Sequence, residues 1–237
     1  MHPCVIRTAI AILSLLSWMA PASVASQERP VSDFTDWANG QLIFEDDGRA
    51  ISKALRAATG RPYTHVGMVR ITGGGAVALD TNPSLWENFV EEFIAKAVSG
   101  RYAVYALRGL STNAAFTPPR VANGYLNTPD DPYLRPGRSE LSGVELARLS
   151  FAALGIKLGK TTTFGGLAVK TPAIRDWFHG VWRNHPDCKV RHASETACWD
   201  IVRRQSVITP ASLAEDPHLV CVWSNFEADR NLCPGPR

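Results

Sequence analysis

The sequence has no block of lysine or arginine, no internal repeat, no Cys-x-x-Cys or His-x-x-x-His, and no apolar run of the ~20 residues that cross a bilayer. Each absence closes off a class. Without a basic block, nucleic acid is not an implied partner, although a pI of 8.7 permits weak attraction to acidic envelope polymers. Without a repeat, solenoids and propellers are excluded. Gly73-Gly74-Gly75 is followed by neither Lys-Ser/Thr nor a helix, so it is a turn and not a phosphate cradle. No cofactor is expected.

What remains is an ordinary globular composition. Of 237 residues, 45% are hydrophobic and 20% charged, with a net charge of +3, which suits one domain and at most two. Residues 1–25 read as a secretory signal: Arg7 is the positive start, Thr8 to Ala20 the apolar centre, and Ser23-Val24-Ala25 the small residues before cleavage. Cys4 precedes the apolar run and is no acylation site. The mature chain, nearly neutral and without a transmembrane segment, is expected in the bacterial periplasm.

Four cysteines remain, Cys188, Cys198, Cys221 and Cys233, all near the C-terminus. An even number in an exported chain suggests two disulfides. Three connectivities are possible; local pairing of Cys188 with Cys198 and of Cys221 with Cys233 is the simplest. Zinc competes, with His185 and His192 nearby, but the usual ligand spacings are missing and no metal is expected.

From Gln41 strands and helices alternate. Gln41 to Phe44 reads as a strand, and Asp46 and Asp47 offer caps for a helix with Ile51, Ala54, Leu55 and Ala58 on its apolar face. Thr64 to Thr72 and Ala76 to Asp80 predict a hairpin. Ser84 with Glu87 predicts a capping box for a helix carrying Leu85, Phe89, Phe93 and Ile94. Tyr102 to Leu107 is a third strand, 111–138 an irregular loop rich in proline and glycine, and Ser142 with Glu145 opens a helix to Gly155. Residues 160–190 show few periodicities, 199–204 suits a helix, and Leu219 to Trp223 a strand. The class is α+β with antiparallel hairpins. Glu91-Glu92 suit a solvated helix face, and Trp177, Trp182, Trp199 and Trp223 suit buried aromatics.

His65 lies in a strand of alternating polar and apolar neighbours and is the first chemical candidate, against the plainer reading of a structural histidine. Asp80 ends the neighbouring strand, where it suits either a turn or an imidazole partner.

These residues carry a resemblance. Gly40-Gln41-Leu42-Ile43-Phe44, Ala57 to Pro62, and Tyr63-Thr64-His65-Val66-Gly67-Met68-Val69 resemble the opening of the permuted papain-like amidases, the YiiX/YebB-like branch of the NlpC/P60 cysteine hydrolases. Asp131-Pro132-Tyr133-Leu134, Ser139 to Phe151 and Ile208 to Ala214 are similar to its later blocks. The resemblance implies a circularly permuted papain-like (NlpC/P60-like) domain with a small antiparallel sheet packed on helices. Residues 26–160 would form its core and 161–237 the disulfide-stapled C-terminal part of the same domain. It implies His65 as general base, Asp80 as the acid that orients it, and an amide or acyl bond of a cell-envelope molecule, a peptidoglycan fragment or acylated compound, as substrate. The sequence departs from the family at the nucleophile, where the cysteine position falls on Gly143. Ser142, one residue away, is either a catalytic hydroxyl or the cap of its helix. Two functions stay open: a hydrolase with an atypical nucleophile, and a degenerate relative that binds without cleaving.

Overall fold

The computed structural model describes residues 32–137, 139–190 and 194–235; the expected signal segment and His192 lie outside them. The first strand, β1 (Leu42–Glu45), is buried along its whole length. Period-two alternation sends Leu42 and Phe44 to one face and Ile43 to the other, so a strand covered on both sides is apolar as far as its closing Glu45.

Around it runs a six-stranded sheet, antiparallel at every pairing, in the order β4-β3-β2-β1-β5-β8: β2 is His65–Thr72, β3 Gly75–Asp80, β4 Trp86–Phe89, β5 Tyr102–Leu107 and β8 Leu219–Ser224. A two-stranded pair, β6 (Thr162–Thr163) with β7 (Ser206–Val207), stands apart. The helices are α1 (Ala50–Thr59), α2 (Val90–Lys96), α3 (Thr117–Asn123), α4 (Gly143–Ala152), α5 (Phe164–Lys170), α6 (Ala173–Val181), α7 (Pro186–Lys189), α8 (Glu195–Val202) and α9 (Pro210–Ala214).

One face of the sheet packs on α4: Phe44, Val66 and Met68 meet Val144, Leu146, Ala147 and Phe151. The other face packs on α2 through Ile43, Val69 and Ala78 against Val90, Phe93 and Ile94. A third cluster joins α1 to α5, α6 and α8, with Leu55, Phe164, Trp177, Phe178 and Val202 at its centre. The α+β class holds, and both disulfides are the local ones, with Cα–Cα distances of 5.4 Å for Cys188–Cys198 and 5.3 Å for Cys221–Cys233. Trp177 and Trp223 are buried as expected; Trp182 and Trp199 pack at the edge of the third cluster.

Three local expectations are corrected. The helix read from Ser84 begins only at Val90, because Trp86 to Phe89 pair with β3 and Glu87 bonds Arg70 of β2 at 2.5 and 2.7 Å instead of capping a helix. Glu92 makes the return bond instead, accepting from the Phe89 amide. Asp46 and Asp47 do not cap α1, whose cap position is Arg49; they accept from the Gly48 and Arg49 amides in the preceding turn. The loop 111–138 contains α3, whose prolines Pro118 and Pro119 occupy first-turn positions where a missing N–H costs nothing.

Candidate functional site

Two strand ends and one helix build the site. His65 opens β2 directly opposite Glu45, the last residue of β1, while Asp80 closes β3. Alternation places Val66 on the α4 face, so His65 turns the other way and stacks on Phe93 of α2, with 5.7 Å between ring centroids. His65 and Asp80 are 3% and 1% exposed. His65 Nε2 donates to Asp80 Oδ1 at 2.7 Å, and Lys96 Nζ donates to Asp80 Oδ2 at 3.0 Å.

On the other side of the ring, Arg49 Nη2 donates to His65 Nδ1 at 3.2 Å. That bond uses the Nδ1 lone pair and assigns the ring proton to Nε2. The Arg49 guanidinium also bonds Asp47 and, at 2.5 Å, Asp130 Oδ2; Asp130 in turn accepts from Thr81 Oγ1 at 3.0 Å. Both ring nitrogens therefore have partners, and Ser142 is neither of them.

Burial and charge pull against each other throughout the cluster. Burial pushes Asp80 up, but the His65 hydrogen bond, the His65 charge and Lys96 outweigh it and bring the carboxyl down to about 2. Burial lowers His65, yet the Asp80 bond and the Asp80 and Glu45 charges raise it overall, with Arg49 opposing. Glu45, buried with Oε2 unpartnered, is raised to about 8, mainly by burial and further by Asp80 and Asp47. The result is a closed charge network in which each cation holds a carboxylate.

The start of α4 is different in kind. Ser142 caps α4: its Oγ accepts from the Glu145 amide at 3.4 Å and donates to Glu145 Oε2 at 3.1 Å, while its own amide donates to the same oxygen at 3.2 Å. Beside it the α4 backbone runs against β2, so closely that a Cβ at Gly143 would lie 2.0 Å from the Val66 carbonyl oxygen. No side chain fits there. The structure thus brings His65 and Asp80 together and leaves Ser142 bonded within its own helix start.

Sequence reasoning did not find Glu45, Arg49, Lys96 or Asp130. Glu45 was accessible in principle, as the one charge closing a buried strand opposite His65. Arg49 and Asp130, 81 residues apart, carry no local signal.

A cavity of about 540 Å³ beside α4 is lined by Tyr125, Leu141, Leu149 and Ile156 with Arg148 and Lys157, and not by His65 or Asp80. Among the described residues one set places three metal-ligating atoms together, His185 with Cys188 and Cys198, both sulfurs being joined as a disulfide.

No protein-family model matches the sequence, and no curated protein matches it. Among solved structures, one described as the metalloprotein yiiX of Escherichia coli O157:H7, a DUF1105 protein, is similar at 19% identity and a TM-score of 0.68. It covers 80% of this chain and 98% of its own. At that identity the likeness is one of fold: this chain has a yiiX-like α+β architecture.

Proposed function

We propose that this chain is an exported, catalytically silent relative of the permuted papain-like amidases, which binds an acylated cell-envelope molecule without cleaving it. One observation carries the reading: where a cysteine hydrolase needs a thiol at its helix start, α4 presents Gly143 with its backbone against Val66. A thiolate mechanism needs a side chain at the positive end of that helix and an imidazole within reach. Here there is no room for the first, and the second is enclosed between Asp80 and Arg49.

The cavity beside α4 supports a binding role. Its apolar lining suits an acyl chain. Arg148, whose Nε is buried without a partner, and Lys157 stand on its rim together with Glu140 and Glu145, so a polar head would meet charges of both signs. In this reading the network around His65 is structural, holding β1, β2 and β3 to α2.

One feature favours the rival reading of a serine hydrolase, the 2.7 Å bond of His65 to Asp80 that also orients the base of a triad. A fluorophosphonate probe separates the two. Mature protein is expected to stay unlabelled and to leave peptidoglycan and acyl esters intact, while binding a fluorescent fatty acid that Ile156→Glu releases. Labelling that disappears in both Ser142→Ala and His65→Ala would overturn the proposal and establish hydrolysis.

A further inference from the structure

The Cys188–Cys198 pair differs from the Cys221–Cys233 pair in one respect: a histidine stands against it. His185 precedes α7, and Cys188 follows three residues later, so one helical turn puts the ring and the thiol side on the same face; Cys198 comes across from α8. A nitrogen of His185 and the two sulfurs all lie within 4.8 Å of one another. His185 and Cys198 are fully buried and Cys188 nearly so, among Tyr133, Phe178 and the rest of the third cluster.

The histidine has a loose end. His185 Nδ1 accepts from the Asp187 amide at 3.3 Å, while Nε2 is buried with no partner. A buried imidazole nitrogen without a partner is destabilising, so an unused one calls for an explanation. The ring is fully buried, and Nε2 is the atom it has left to offer. Two cysteines and a neutral imidazole are a zinc ligand set.

We propose that the reduced form of this chain binds one zinc ion through His185, Cys188 and Cys198. The steps balance. A dithiol reductant opens the disulfide, becoming a cyclic disulfide itself and leaving two thiols. Zinc then displaces two thiol protons to solvent, and the proton on His185 Nε2 moves to Nδ1, so the imidazole stays neutral while the bond from the Asp187 amide to Nδ1 gives way. Tetrahedral bond lengths separate the sulfurs to roughly 3.8 Å, a movement of about 2 Å from the disulfide. Two thiolates, Zn²⁺ and a neutral imidazole sum to zero charge, which is what an apolar interior tolerates. Three protein ligands leave the fourth position open. Cys188 and Cys198 thus have two closed states, disulfide and zinc dithiolate, which hold α7 to α8 in the same way.

The test uses mature chain made and purified reduced and without oxygen, with Zn²⁺ and then Co²⁺ as probes. The expected result is one tightly held equivalent of zinc per chain. A cobalt form should show the visible bands of a tetrahedral site and the near-ultraviolet absorption of thiolate ligation. The equivalent should persist in Cys221→Ser with Cys233→Ser and be lost in Cys188→Ser and in His185→Gln. Circular dichroism of the oxidised His185→Gln protein checks its fold, and a reduced chain that folds only when one equivalent of zinc is added supports the site equally. A folded reduced chain that takes up no metal, an unfolded one that zinc does not rescue, or an equivalent retained by His185→Gln would overturn it.

Discussion

Adding a single carbon at Gly143 is the most direct trial of the close approach of α4 to β2. In Gly143→Ala the new Cβ would lie 2.0 Å from the Val66 carbonyl oxygen and 3.1 Å from its carbon, where ordinary contact begins near 3.4 Å. Something must shift by more than 1 Å. The obstacle is the backbone of a central strand paired to β1 and β3 on its two sides, so the yielding part has to be the start of α4. Moving α4 disturbs Val144, Leu146 and Ala147 in the main core and strains the Ser142 cap. Overpacking of this kind costs about 1–3 kcal/mol where side chains can adjust, and the upper end or more is expected against a fixed carbonyl. Gly180→Ala in α6, which meets nothing within 4 Å, is the control; helix propensity predicts that it is neutral or stabilising by up to about 1 kcal/mol. Urea unfolding of both variants measures the difference. Gly143→Ala within about 0.5 kcal/mol of the parent would refute the reasoning. So would a Gly143→Cys protein that folds normally and alkylates rapidly at that thiol, because the cleft would then be open and the silent reading wrong.

Four other outcomes are expected. Ser142→Ala should cost about 1 kcal/mol in thermal or urea unfolding, as the loss of an N-cap does, and leave the probe assay unchanged. His65→Ala leaves Asp80 buried with only the half-exposed Lys96 for charge, and unfolding should become easier by about 3–5 kcal/mol; a loss under 1 kcal/mol would argue against a structural network. Glu45, raised to about 8 in the folded chain, must take up a proton on folding above its ordinary 4.5. Stability from this group is therefore greatest below pH 4.5 and falls as the pH rises to about 8, and Glu45→Gln should flatten that slope; Asp80, lowered to about 2, contributes stability above its ordinary 3.8 that disappears as the pH falls towards 2. Replacing Cys221 and Cys233 by serine opens a loop of sequence separation 12 and should cost about 3 kcal/mol in denaturant.

Local chemistry was legible in the sequence wherever it was governed by neighbours a few residues apart. Ser142 with Glu145 forms the capping box its spacing announced, and the apolar run Tyr102–Leu107 is a strand with the expected bounds. Short loops join Cys188 to Cys198 and Cys221 to Cys233 because closing a short loop costs least. The same local logic failed at Ser84. A capping box there was outweighed by strand pairing of Trp86–Phe89 with β3 and by Glu87 reaching Arg70, partners that no window around residue 84 contains.

By itself, then, the sequence determined an α+β chain, a histidine in a strand beside an aspartate, and a glycine just inside a capped helix. Only the tertiary structure decided what those residues do to one another. It put His65 on the α2 face, because a strand turns neighbouring side chains to opposite sides, and it set Arg49, itself held by Asp130 81 residues further on, against the second ring nitrogen. It also pressed α4 onto β2 at Gly143, a contact the missing side chain makes possible and the surrounding core makes tight.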